Sequence, residues 1–248
     1  MELSYQLYSA RNAQPWSNVF ASLKEQGYNQ VEGYGALFEN VAELSADLDN
    51  AGLKMPSSHI SLELLENDFD AALNIIKTLG IKQAYGPYLM EEDRPTDTAG
   101  WTVFAQKLSA IADKLAGYDV QFGWHNHEFE FLPLEDGGIP MAIILDTAPN
   151  VSWEADIAWV VKGDQDPLEW IERYGDRITA VHMKDIAPEG ENLDEDGWTD
   201  VGTGTMDWKA LINALKAKSN ATVYAMEHDN PKDAIAFGAN SIAFAKTL

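Results

Sequence analysis

Cysteine is absent from this 248-residue chain. That removes disulfides, thiolate nucleophiles and thiolate metal sites together, and leaves imidazole and oxygen as the available metal ligands. Basic residues are scarce: 17 Lys and Arg stand against 40 Asp and Glu, a formal charge of −23. Such a balance repels phosphate backbones and anionic membrane surfaces, so neither nucleic acid nor a membrane is an expected partner. The acidic excess reads first as a solvated surface that favours solubility. No stretch approaches the ~20 consecutive apolar residues of a membrane span. The opening Met-Glu-Leu-Ser lacks the basic and then apolar start of a secretory signal, which points to a cytoplasmic protein.

What is present is alternation. Short β-rich runs give way to longer helical patterns along the whole chain, the signature of βα units around a parallel sheet. Strands are expected at Leu3–Tyr8, Gln30–Tyr34, Lys54–Ile60, Lys82–Tyr85, Val120–His125, Val151–Asp156, Ile178–Met183 and Thr222–Glu227. Helical spacing of apolar residues marks Ser17–Glu25, Val41–Asn50, Phe69–Leu79, Thr98–Leu115, Leu168–Tyr174, Asp207–Lys216 and Lys232–Lys246. Gly27, Gly52, Gly80 and Gly117 follow helices as C-terminal stops. Residues 139–149 read as a short helix with Pro140 in its first turn. Eight strands and a length near 250 residues predict one α/β domain over residues 1–248, a (β/α)8 TIM barrel. The polar segment Ala187–Thr205 is longer than most connections, and loops of that length are often functional or mobile.

Potential metal ligands stand at the ends of the apolar runs: His125-Asn126-His127, Glu154-Ala155-Asp156, His182-Met183-Lys184-Asp185 and Glu227-His228-Asp229. In such a barrel, strand C-termini converge at one face, so ligands far apart in sequence meet in space. Asp156, His182 and Glu227 each fall where alternation points them toward the barrel axis. A carboxylate, an imidazole and a second carboxylate suit one divalent ion: Mn, Mg, Co or Zn. A lone strand histidine is more often a hydrogen-bonded core residue; the joint occurrence on three successive strands carries the metal reading. Lys184, two residues past His182, shares its face and could reach a substrate oxygen or pair with a carboxylate. Glu154 lies one layer deeper than Asp156 and needs a buried partner, a ligand histidine or a core tyrosine. Glu32, His59 and Tyr85 end strands two to four and could line a pocket. Trp159 and Trp198 offer flat faces to a sugar ring, although a tryptophan is more often core. Val201-Gly202-Thr203-Gly204 reads as a structural turn, since it lacks the residues and context of a phosphate-binding loop.

From Gln6-Leu7-Tyr8-Ser9 and Val31-Glu32-Gly33-Tyr34 through His182-Met183-Lys184-Asp185 to Val201-Gly202-Thr203-Gly204 and Met226-Glu227, the chain resembles the xylose isomerase-like barrel family. That group holds sugar isomerases, epimerases, inosose dehydratases and an endonuclease branch. The resemblance implies four metal ligands from strands five to eight, commonly Glu, Asp, His and Glu. Asp156, His182 and Glu227 match the last three. Where many relatives read Glu-Asn-His, this chain reads His125-Asn126-His127, so His125 looks like the replacement ligand; Glu130 could instead fold back to the metal or the substrate. Family epimerases place a metal-bound Glu on each side of a ketose. Glu227 keeps one post, and His127, Lys184 or Glu130 is left to supply the second acid or base.

The reading that follows is a divalent-metal-dependent isomerase or epimerase that abstracts a proton beside the carbonyl of a keto-sugar. A lyase or dehydratase acting on a keto-sugar or keto-inositol uses the same metal and base, and a non-catalytic sugar-binding barrel is the remaining alternative. Arginine occurs only at Arg11, Arg94, Arg173 and Arg177, which favours neutral sugars over sugar phosphates. Family relatives are often dimers, so a homodimer is the expected assembly if there is one.

Overall fold

The computed structural model describes residues Met1–Leu248. Eight parallel strands close into a barrel: β1 Glu2–Gln6, β2 Gln30–Gly33, β3 Lys54–His59, β4 Gln83–Gly86, β5 Gln121–His125, β6 Ser152–Asp156, β7 Ile178–Met183 and β10 Val223–Met226. Every neighbour in the ring is adjacent in sequence order apart from the two-residue strands β8 Asp185–Ile186 and β9 Trp198–Thr199, which form a separate antiparallel ribbon. Helices α1 Trp16–Gln26, α2 Val41–Ala51, α4 Phe69–Leu79, α5 Thr98–Ala116, α6 Pro140–Thr147, α8 Pro167–Tyr174, α9 Trp208–Lys218 and α10 Ala234–Ala245 lie between the strands, with short α3 Leu62–Asn67 and α7 Ile157–Lys162. No helix is long and apolar enough to cross a membrane.

Local chemistry sets most boundaries. Asp68, Asp97, Asp166, Asp207 and Asp233 accept from backbone N–H groups in the first turns of α4, α5, α8, α9 and α10, satisfying donors that have no intrahelical partner. This is why α9 and α10 begin just past the expected starts, at Trp208 and Ala234. Gly27, Gly52 and Gly80 end their helices with positive φ, as expected. Gly117 does not: its φ is −62°, and the left-handed residue after α5 is Asp119 at φ 59°. The first strand also stops two residues early. Gln6 turns its side chain onto Tyr8 N at 3.1 Å and starts a 3-10 turn over Leu7–Ala10. Pro140 opens α6 as expected.

A contiguous cluster of 62 buried apolar residues fills the space between strands and helices. Inside the barrel the side chains are different. Gln6, Glu32, Ser57, His59, Glu154 and His182 are all buried and form a polar layer, beside a small apolar group of Tyr85, Ala180 and Val223 in which Tyr85 pairs with His59 and Ala180 with Glu154. Buried charges persist only when paired, so this layer is where the fold carries its demanding electrostatics.

Candidate metal centre

β6 and β7 align Asp156 with His182 in register, and Glu227 follows β10, whose Met226 pairs with Met183. His125 closes β5 one strand away. One donor atom from each of His125, Asp156, His182 and Glu227 lies within 4.8 Å of the others, and all four side chains are buried. Asp156 has two tasks: Oδ1 caps α7 by accepting from Ala158 N and Trp159 N, both at 3.1 Å. Its Oδ2 makes no well-aligned hydrogen bond and has the Lys184 ammonium 3.2 Å away. Asn126 fixes the neighbouring strand tops, accepting from Trp153 Nε1 at 2.7 Å and Asp156 N at 3.1 Å and donating to Asp156 O at 3.0 Å.

Beneath this group lies a second set of carboxylates. Glu32 Oε1 is 2.6 Å from His182 Nε2, and Glu32 also accepts from Gln6 Nε2 at 2.8 Å and from Ser57 Oγ. Glu154 Oε2 faces three imidazole nitrogens: His59 Nε2 at 2.7 Å, His125 Nδ1 at 3.2 Å and His182 Nε2 at 3.4 Å. The other nitrogen of His182, Nδ1, is 2.8 Å from Glu227 Oε2. Lys184 Nζ reaches Asp229 Oδ2 at 2.9 Å, Glu227 Oε2 at 3.0 Å and Asp156 Oδ2 at 3.2 Å. It also lies 5.0 and 4.8 Å from the ring centres of Trp159 and Trp198.

These contacts set the charges. Burial works against an imidazolium at His182, but Glu227, Glu154 and Glu32 hold its pKa well above the usual histidine value. Burial likewise opposes a charged Glu227, and Lys184 and His182 overcome it, holding the carboxyl well below its ordinary range. His125 is driven the other way, to about 3, by burial and by the positive field of His182. His127 is also lowered, chiefly by burial. Both are neutral imidazoles, the form that binds metal or accepts a proton.

A cavity of about 410 Å³ opens over the strand ends, lined by Tyr8, Tyr34, Gly35, His59, Pro87, Tyr88, His125, His127, Trp159, Glu227 and Asp229. His59, His127 and Trp159 thus stand where a ligand would meet them. Trp198 is buried behind Trp159, their rings edge to face at 4.8 Å, placed there by the β8–β9 ribbon. Glu32 and Tyr85 do not line the cavity: Glu32 is in the deeper layer, and Tyr85 is fully buried with its hydroxyl 2.8 Å from Thr179 Oγ1. Glu130 turns away too, its oxygens accepting from Trp124 Nε1 and His127 N, each at 2.8 Å. Tyr8, Tyr34 and Tyr88 are cavity residues that the strand pattern does not single out. The first two are the last residues of the expected strands Leu3–Tyr8 and Gln30–Tyr34, which was the available signal.

Ring closure, the strand-end cluster and the matched stretch of chain converge on one assignment. The chain belongs to the xylose isomerase-like TIM barrel family, whose model matches residues 20–244. No curated protein matches it significantly. Among solved structures it is similar to a sugar phosphate isomerase/epimerase from Parabacteroides distasonis ATCC 8503, at 23% identity and TM-score 0.82 over 98% of this chain and 92% of that one. The probable 3-DHS dehydratase AsbF from Bacillus anthracis superposes with TM-score 0.77 at 13% identity, over 99% of both chains. The IOLI protein, solved with a bound zinc atom, gives TM-score 0.79 at 17% identity over 100% of this chain and 97% of that one. At these identities the three establish the shared fold.

Proposed function

We propose that this protein is a divalent-metal-dependent sugar isomerase or epimerase that works by proton abstraction next to the carbonyl of a keto-sugar. The observation that carries the reading is the convergence of His125, Asp156, His182 and Glu227 within 4.8 Å at a cavity of about 410 Å³. The donor set fits a hard-to-borderline dication such as Mn, Mg, Co or Zn, and Asp156 Oδ2 is a buried oxygen met only by the Lys184 ammonium, 3.2 Å away. When bound there, the ion supplies polarisation of the substrate carbonyl.

The rest falls to the chain. Glu227 is an ionised carboxylate facing the cavity and takes the proton from the carbon beside the carbonyl. Glu227 then gives that proton back, and His127, which lines the same cavity as a neutral imidazole with an unpartnered Nδ1, is placed as a second base to take up the proton of a substrate hydroxyl. Glu130 and Lys184 are less suited: the first is committed to Trp124 and His127 N, the second to three carboxylates. Trp159 and the tyrosines offer faces to a sugar ring. No Lys or Arg lines the cavity, since Arg11 is held on Tyr8 O and Arg94 on Leu89 O and the Tyr88 hydroxyl. That favours a neutral sugar over a phosphorylated one.

The same first step begins a β-elimination. One feature supports this second reading: His125 occupies a ligand post that a carboxylate would need for a symmetrical two-Glu exchange, and an elimination needs only one carboxylate base. Two measurements test the proposal together. Asp156→Ala is expected to bind about one divalent ion per chain fewer than wild type, and the loaded wild type is expected to exchange deuterium from D2O into a keto-sugar. Exchange with recovered sugar marks the isomerase; loss of water marks the lyase. Metal binding without exchange across a panel of neutral keto-sugars would leave the sugar-binding barrel.

A further inference from the structure

The mouth of the barrel is not the only place where metal-binding atoms meet. His59, His125, Glu154 and His182 also bring one donor each within 4.8 Å of one another, and all four are buried. We propose that this group is a second seat for a divalent cation, of zinc-like preference, one layer deeper on the barrel axis than the mouth group. His59 and Glu154 belong to it alone.

The spacing suits a tetrahedral ion. With metal–ligand bonds of about 2.0–2.1 Å, neighbouring donors stand about 3.4 Å apart. From Glu154 Oε2 the three imidazole nitrogens lie at 2.7, 3.2 and 3.4 Å. Three imidazoles and one carboxylate are also the donor types zinc prefers where no thiolate is present. Glu154 Oε1 is buried with no hydrogen-bond partner, and His125 Nδ1, aimed at Glu154 Oε2 from 3.2 Å, makes no well-aligned hydrogen bond. A layer held by protons alone leaves Glu154 Oε1 unsatisfied. Glu32 Oε1, 2.6 Å from His182 Nε2 and 3.7 Å from His59 Nε2, borders the same space and is anchored from outside by Gln6 and Ser57.

Charge points the same way. Glu32, Glu154, Asp156, Glu227 and Asp229 converge here, with Lys184 as the one permanently charged cation among them. Lys184 serves the mouth oxygens, while histidines are the only side chains able to carry positive charge that the deeper carboxylates meet. The seats divide the two shared rings: His182 presents Nε2 to the deep group and Nδ1 toward Glu227, and His125 presents Nδ1 to the deep group.

Zn2+ content after saturation and dialysis separates the seats. A mouth-blocked variant, Asp156→Ala with Glu227→Gln, is expected to fold by circular dichroism and keep about one Zn2+ per chain. Adding Glu154→Gln, or His59→Gln should the first variant fail to fold, is expected to release it. A folded mouth-blocked variant without zinc would overturn the proposal. If that variant does not fold, Glu154→Gln and His59→Gln in the wild-type background decide: each is expected to lower bound zinc relative to wild type, and unchanged content in both would overturn it. Zinc kept by the mouth-blocked variant but absent from Glu154→Gln would uphold the deep seat and remove the mouth ion from the function proposed above, whereas the reverse would remove only the deep seat.

Discussion

Glu130 is fully buried, and each of its oxygens already accepts an N–H, one from Trp124 Nε1 and one from His127 N. Burial pushes its carboxyl up to about 8 from an ordinary 4.5, against those two donors. Between these values the folded protein holds a proton that the unfolded chain has released, so stability falls as pH rises through the window. Below about 4.5 both states are protonated and nothing is lost; above about 8 the loss is complete. Glu130→Gln cannot ionise, although its amide meets one of the two donors badly. Wild type is therefore expected to be the more stable of the pair at pH 5 and to lose ground steadily toward pH 9, by up to about 5 kcal/mol. Urea unfolding of both proteins at pH 5, 7 and 9 reads this directly, and a difference independent of pH would show a carboxylate ionised throughout.

At the scale of elements, the ribbon made by β8 and β9 decides how much of the segment Ala187–Thr205 is free to move. Asp185 accepts from Ile186 N at 2.9 Å, Gly202 N at 2.8 Å and Met206 N at 3.1 Å, tying both ends of the excursion to one carboxylate. Gly202 has φ 90° and its missing Cβ would enter the Phe244 ring, whereas Gly190, at φ 83°, has open space around it. Gly190→Ala is expected to cost about 1 kcal/mol from backbone alone, and Gly202→Ala distinctly more. Denaturant midpoints compare the two; equal costs would mean that Phe244 yields freely. This element also shows where sequence reading stops. The eight barrel strands and the residues that meet at their ends were legible because parallel β-structure converts periodicity into direction. The ribbon was not, since strands of two residues carry no period. Helices α3 and α7 escaped for the same reason. The shift of Glu32 and Tyr85 from cavity wall to interior was equally hidden: alternation says which residues point at the axis, not how deep they sit.

For the whole molecule, a formal charge of −23 spreads repulsion over the surface while five carboxylates gather in one buried cluster, three on Lys184 and two on histidines. The two respond differently to ions. Surface repulsion is relieved by any salt, because raising ionic strength from about 0.01 M to about 1 M shrinks the Debye length from about 30 Å to about 3 Å. The buried carboxylates are beyond such screening and respond only to a cation that enters the cluster. Na+ is therefore expected to raise the melting temperature gradually. A seated dication is expected to add a saturable increment at the same ionic strength, about 2.7 kcal/mol at a hundredfold excess over its Kd. Thermal melts in Na+, and in Na+ with Mn2+ or Zn2+ at matched ionic strength, separate the terms. The Na+ response should survive in a variant carrying Asp156→Ala, Glu227→Gln and Glu154→Gln, while the dication increment should vanish. An increment that persisted there would place the ion on the acidic surface, and the convergence of buried carboxylates would then have to be balanced by protons on His59 and His182.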